Sequence, residues 1–141
     1  MNQLFRPRTL IVLAAGLAAL LCAAASASGA AFRATLDAPN HSPKAGGKNW
    51  KITVTARSNA GKPLRATARY EFFFNGQRVS TQYPNPGHTK GGTKPYAFRG
   101  RYRDTILWPP QAVGHPLTFR VVVSVPGKGS VNLDWKVKVH R

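Results

Sequence analysis

Residues 117–139, LTFRVVVSVPGKGSVNLDWKVKV, decide how this chain is read. Apolar side chains fall on Leu117, Phe119, Val121, Val123 and Val125, then on Val131, Leu133, Trp135, Val137 and Val139. Every second residue is the period of a strand with one buried face, whereas a helix would need a period of 3.6. Pro126-Gly127-Lys128-Gly129 between the two runs is turn chemistry, so they form a hairpin. Both inward sets carry odd numbers, and facing residues must therefore have an even index sum. With Gly127-Lys128-Gly129 as a three-residue loop that sum is 256, which sets Val125 against Val131, Val121 against Trp135 and Leu117 against Val139. Arg120 then faces Lys136, a mildly destabilising like-charge pair, with Asp134 on the diagonal.

The same alternation extends outward along the chain. Trp50, Ile52, Val54 and Ala56 form one inward set, and Ala68, Tyr70, Phe72 and Phe74 form another. Asn75-Gly76 between strand-like runs is a two-residue hairpin signal, because both turn positions need positive φ. A two-residue loop sets Phe74 against Gln77, Phe73 against Arg78 and Phe72 against Val79. Phe72 and Val79 then point inward, and Arg78 lies over the outward Phe73 ring. Asp104 shares parity with Tyr102, Ile106 and Trp108, so it is expected to be at least half-buried and paired with an arginine (Arg99 or Arg101) or with backbone N–H groups. No window past residue 31 has helical periodicity. Counting 32–36, 50–57, 66–74, 77–80, 101–107, 117–125 and 131–139 gives about seven antiparallel strands. The expected fold is all-β, an immunoglobulin-like β-sandwich, with a small open β-barrel as the alternative.

The N-terminus reads differently. Arg6 and Arg8 precede the apolar run Leu10–Leu21, and Ala25-Ser26-Ala27 fits a signal-peptidase site. Residues 1–27 are read as a signal peptide and 31–141 as the domain, which places the protein outside the cytoplasm, secreted or in the cell envelope. The 22 apolar and small residues from Leu10 to Ala31 are also long enough for a retained membrane anchor. The chain has 21 basic and 4 acidic residues. Cleavage removes Arg6, Arg8 and the single cysteine, Cys22, leaving a formal charge of +15 with no thiol and no disulfide. Such a field attracts polyanions.

The stretches AGKPLRATARYEFFFNGQRV (60–79), RGRYRDTILWP (99–109) and AVGHPLTFRVVVSV (112–125) resemble bacterial Ig-like domains of small secreted proteins. The resemblance spans most of residues 36–140. It implies the sandwich fold, export and surface display, and it transfers no catalytic or binding residue.

The inventory of reactive groups is thin. Asp37, Glu71, Asp104 and Asp134 lie in four different segments, no G-x-S-x-G elbow is present, and the exported chain has no cysteine nucleophile. His41, His88, His115 and His140 share no metal-ligand spacing. Gly87–Lys94 has glycines and a lysine, but not in the order of a phosphate loop, and no helix follows. The 83–95 segment reads as a long loop. No catalytic residue, cofactor or metal is assigned, and the expected role is non-enzymatic. The expected partner is an anionic cell-envelope polymer, a membrane surface or a protein. Sequence-specific nucleic-acid binding is not expected, for want of any groove-reading helix or known motif. The proposed contact face gathers Arg69, Phe73, Arg120, Lys136 and Lys138 on the outward side of neighbouring strands.

Overall fold

The computed structural model describes residues 31–141. The signal peptide read at 1–27 and the alternative anchor fall largely or wholly outside the described residues. Among these, no helix is long and apolar enough to cross a membrane. The elements are β1 (Arg33–Asp37), β2 (Lys51–Arg57), β3 (Arg65–Phe74), β4 (Gln77–Gln82), β5 (Tyr96–Arg99), β6 (Arg101–Thr105), a 3₁₀ turn (Pro110–Ala112), β7 (Pro116–Val125) and β8 (Gly129–Lys138).

Two antiparallel sheets form a sandwich that does not close into a barrel. One sheet has the order β1-β2-β6; the other has β4-β3-β7-β8, with β5 paired to the first half of β3. The chain therefore crosses between sheets after β2, between β5 and β6, and after β6. This is the Greek-key division of an immunoglobulin-like sandwich with its fourth strand on the second sheet. The inward sets read from the sequence meet across the interior: Ile52, Val54 and Ala56 against Ala68, Tyr70, Phe72, Phe119, Val121 and Val123, all buried. Phe119 is the hub. Its ring lies 5.1–6.2 Å from those of Tyr70, Phe72, Trp50 and Trp108, edge-on to the two indoles, an arrangement aromatic quadrupoles favour, and tilted against Tyr70 and Phe72.

The eighth strand, β5, was not expected. Gly100, at φ +72°, joins it to β6 and turns one extended run from one sheet to the other. Its N–H donates to the Leu64 carbonyl and its own carbonyl accepts from the Ala56 N–H, each at 2.9 Å. A second feature covers an edge. The 40–45 segment runs beside the end of β8, receiving the Lys138 N–H on His41 and the His140 N–H on Pro43. The Asn40 carbonyl accepts the indole N–H groups of both Trp50 and Trp135, and His41 stacks flat on Trp135 at 4.7 Å. That strap occupies backbone groups which an open edge would leave available for aggregation.

Two sequence expectations are corrected. The β7–β8 hairpin keeps its parity but slips by two: Val125 faces Gly129, Val121 faces Leu133 and Phe119 faces Trp135, an index sum of 254. The loop is still three residues long but is Pro126-Gly127-Lys128, with its turn closed by Lys128 N–H to Val125 C=O at 3.0 Å. The register change puts Arg120 opposite Asp134 and Lys136 opposite Thr118, replacing the like-charge pair by an ion pair. In the β3–β4 hairpin, Asn75 (φ 49°) and Gly76 (φ 75°) take the expected turn, and Phe74 and Phe73 face Gln77 and Arg78. A bulge then sets Phe72 opposite Ser80, and Val79 is 59% exposed rather than inward. The expectation for Asp104 holds: it is half-buried and bonded to a backbone N–H, although no arginine meets it. Its carboxylate accepts from the Tyr70 hydroxyl at 2.9 Å and from the Thr105 N–H at 2.8 Å.

Candidate binding surfaces

Arg69 and Phe73 on β3, Arg120 on β7, and Lys136 and Lys138 on β8 all belong to the outward-facing register of the larger sheet. The structure thus brings the sequence-read face together, but acids run through it. Glu71, only 4% exposed, accepts from Arg69 Nε at 3.1 Å and Arg78 Nη1 at 3.2 Å. Asp134 takes a bidentate pair from Arg120, at 2.6 Å and 2.9 Å. The Arg120 guanidinium also lies 4.5 Å from the centre of the Phe73 ring, the place expected for Arg78. Three of the arginines on this face are therefore ion-paired within the chain, sharing two carboxylates between them. Lys136 and Lys138 stand at its edge.

The smaller sheet presents a different outward face. Its odd-numbered positions are Arg33, Thr35 and Asp37 on β1, Lys51, Thr53, Thr55 and Arg57 on β2, and Arg101, Arg103 and Thr105 on β6. Cross-strand register lines them up: Arg33 with Arg57, Thr35 with Thr55 and then Arg101, Asp37 with Thr53 and then Arg103, and Lys51 with Thr105. Five cations share the face with one carboxylate, and among the described residues none of the five lies within 4 Å of an acid. Arg57 donates to the Gly61 carbonyl, which orients it without removing its charge. Arg33 opposite Arg57 is a like-charge pair left uncompensated. Successive outward residues on a strand lie about 6.8 Å apart and neighbouring strands about 4.8 Å, so the cations form a grid spread over the face. The inward set Trp50, Ile52, Val54 and Ala56 implies that Lys51, Thr53, Thr55 and Arg57 face outward, but no local pattern joins them to Arg33, Arg101 and Arg103.

Between the sheets, Tyr102 donates to the Tyr70 hydroxyl at 3.2 Å, and Tyr70 donates to Asp104. Burial pushes the Asp104 carboxyl above the usual carboxylate range, against the opposing effect of its two donors. Burial likewise pushes both tyrosine hydroxyls well above their ordinary value. The chain of hydroxyls is held neutral and fully bonded, which fits a structural tie between β3 and β6. A small polar pocket of about 70 Å³ lies beside it, with His88 and Lys90 of the 83–95 loop on its wall. Among the described residues there is no group of three or more His, Cys, Asp or Glu placed to hold a metal.

A larger pocket, about 320 Å³, opens at the end of the sandwich where the β3–β4 hairpin meets the 107–117 segment. Phe72, Phe74 and Trp108 supply its aromatic walls, and Val79 and Leu107 its rim. His115 packs edge-on to Phe74 at 5.3 Å. Trp108 is buried, and its Nε1 donor has no acceptor among the described residues. An unmet buried donor costs about 1–3 kcal/mol.

No family model matches the chain, and no curated protein matches it. Among solved structures the chain is similar to the superoxide reductase (neelaredoxin) from Ignicoccus hospitalis, at 12% sequence identity and a TM-score of 0.43, over 77% of this chain and 82% of that one. A likeness of that size assigns no activity to this chain.

Proposed function

We propose that the protein is an exported, non-enzymatic binding module that holds an anionic cell-envelope polymer against the outward face of β1, β2 and β6. The observation that carries this reading is the grid of Arg33, Lys51, Arg57, Arg101 and Arg103, interleaved with threonines and without a carboxylate partner among the described residues. Guanidinium groups and threonine hydroxyls both donate to anionic oxygens, and arginine does so bidentately. A spread grid suits an extended partner with repeated charges. A single small anion would need cations that converge. Bringing negative charge to this face also relieves the Arg33–Arg57 repulsion. The opposite face, centred on Arg69 and Arg120, supports the reading less well because Glu71 and Asp134 already occupy its arginines. Export rests on the Arg6–Ala27 pattern, and the non-enzymatic assignment on the sparse set of reactive groups.

Retention on immobilised polyphosphate tests the proposal, compared at about 50 mM and about 200 mM salt, since contacts to a polyanion weaken steeply over that range. Arg101→Glu with Arg103→Glu should lower retention far more than Lys136→Glu with Lys138→Glu. Equal losses for the two pairs would show that only net charge matters, leaving the cations as solubilising surface.

A further inference from the structure

We propose that the pocket between the β3–β4 hairpin and the 107–117 segment binds an uncharged, mainly apolar small molecule. Its volume of about 320 Å³ falls within the roughly 300–1,000 Å³ of small-molecule sites. None of its lining residues is Lys, Arg, Asp or Glu, although basic residues crowd the rest of the domain. His115 is the one ionisable side chain in the lining, and Ser80, Gln82 and Gln111 add neutral polar groups, while Phe72, Phe74 and Trp108 offer ring faces and edges to an apolar ligand.

The rim supports the same conclusion. Val79 and Leu107 are the large hydrophobic residues that stand exposed among the described residues, at 59% and 44%, and both line this pocket. Val79 is there because of the bulge after Phe72. An unbulged hairpin would turn it inward opposite Phe72, whereas bulges commonly re-aim a side chain beside a binding site. Two exposed apolar side chains fall far short of the roughly 800 Å² per partner that a stable protein interface covers. A concave wall with so small an apolar rim fits a small molecule better than a second chain.

The test uses N-phenyl-1-naphthylamine, an uncharged dye that fluoresces in apolar sites. The expected result is saturable binding of one dye per chain, unchanged when salt is raised and unchanged by Arg101→Glu with Arg103→Glu. That salt independence keeps the outcome separate from the polyanion reading. Val79→Lys with Leu107→Lys, both at exposed positions, should weaken binding at least tenfold without changing the thermal unfolding midpoint. If the double variant unfolds, Val79→Lys alone supplies the comparison. Absence of saturable binding, or equal binding by wild type and a folded rim variant, would overturn the proposal. So would a dimer in sedimentation that the rim variants dissociate, because a second copy would then be the occupant.

Discussion

Gly100→Ala probes the point where one strand passes from the smaller sheet's partner to the smaller sheet itself. Gly100 sits at φ +72°, and a Cβ there would lie 2.7 Å from the Pro63 Cβ and 3.6 Å from its Cα. The backbone cannot swing away freely, because hydrogen bonds to Leu64 and from Ala56 hold it on both sides. The left-handed conformation alone costs an L-residue about 1–2 kcal/mol. Overpacking against a rigid proline ring adds about 1–3 kcal/mol. The expected total, about 2–5 kcal/mol, is a large share of the roughly 5–15 kcal/mol that holds an ordinary domain folded. Gly76→Ala is the control. It has φ +75° with nothing within 4 Å of the added Cβ, so it should show the conformational cost alone. Loss of chain entropy in the unfolded state is common to both variants and cancels in the comparison. Urea unfolding of wild type and both variants gives the numbers. If Gly100→Ala costs no more than Gly76→Ala, the Pro63 contact is not tight and the account of this corner is wrong.

Other perturbations test the polar ties. Burial raises the Asp104 carboxyl in the fold, so its contribution to stability is greatest at low pH and is lost as pH rises through the folded value. Asp104→Asn should therefore gain melting temperature relative to wild type as pH is raised from about 4 to about 8; a variant that falls further behind would contradict the sign. Glu71→Gln should cost about 1–2 kcal/mol in urea unfolding, between exposed and fully buried pairs, because Arg69 and Arg78 remain partly hydrated. A loss too small to measure would mean the pair adds nothing beyond surface charge. Asp134→Asn should cost less, below about 1 kcal/mol, since that pair lies on an exposed surface, and the loss should shrink as salt is added.

Strand parity was legible because alternation is a local property: Ile52, Val54, Phe72, Phe119 and Val121 all point where their spacing says. Register was less so. A shift of two residues preserves parity, so the apolar pattern of residues 117–139 keeps the same inward face at index sums of 254 and 256. Charge could have separated them, since one pairs Arg120 with Asp134 and the other with Lys136. The Val79 bulge leaves no mark in composition. The β5 strand was hidden because Gly100 reads as an interruption, whereas it is a corner in one extended run. Tyr70 as the partner of Asp104 required knowledge of which strands face each other across the core. The cationic face required the pairing of β1 and β6 with β2, two contacts distant in sequence that no local pattern encodes. Glu71 was visible as an outward residue, but its capture of two arginines depended on the β3–β4 register.

Backbone amide NMR during titration with polyphosphate tests, residue by residue, which face meets the polyanion. Shift changes should concentrate on Arg33, Lys51, Thr53, Thr55, Arg57, Arg101 and Arg103, saturate together and be reversed by salt. Changes centred instead on Arg69, Arg120, Lys136 and Lys138, or spread evenly over every basic residue, would contradict the proposal.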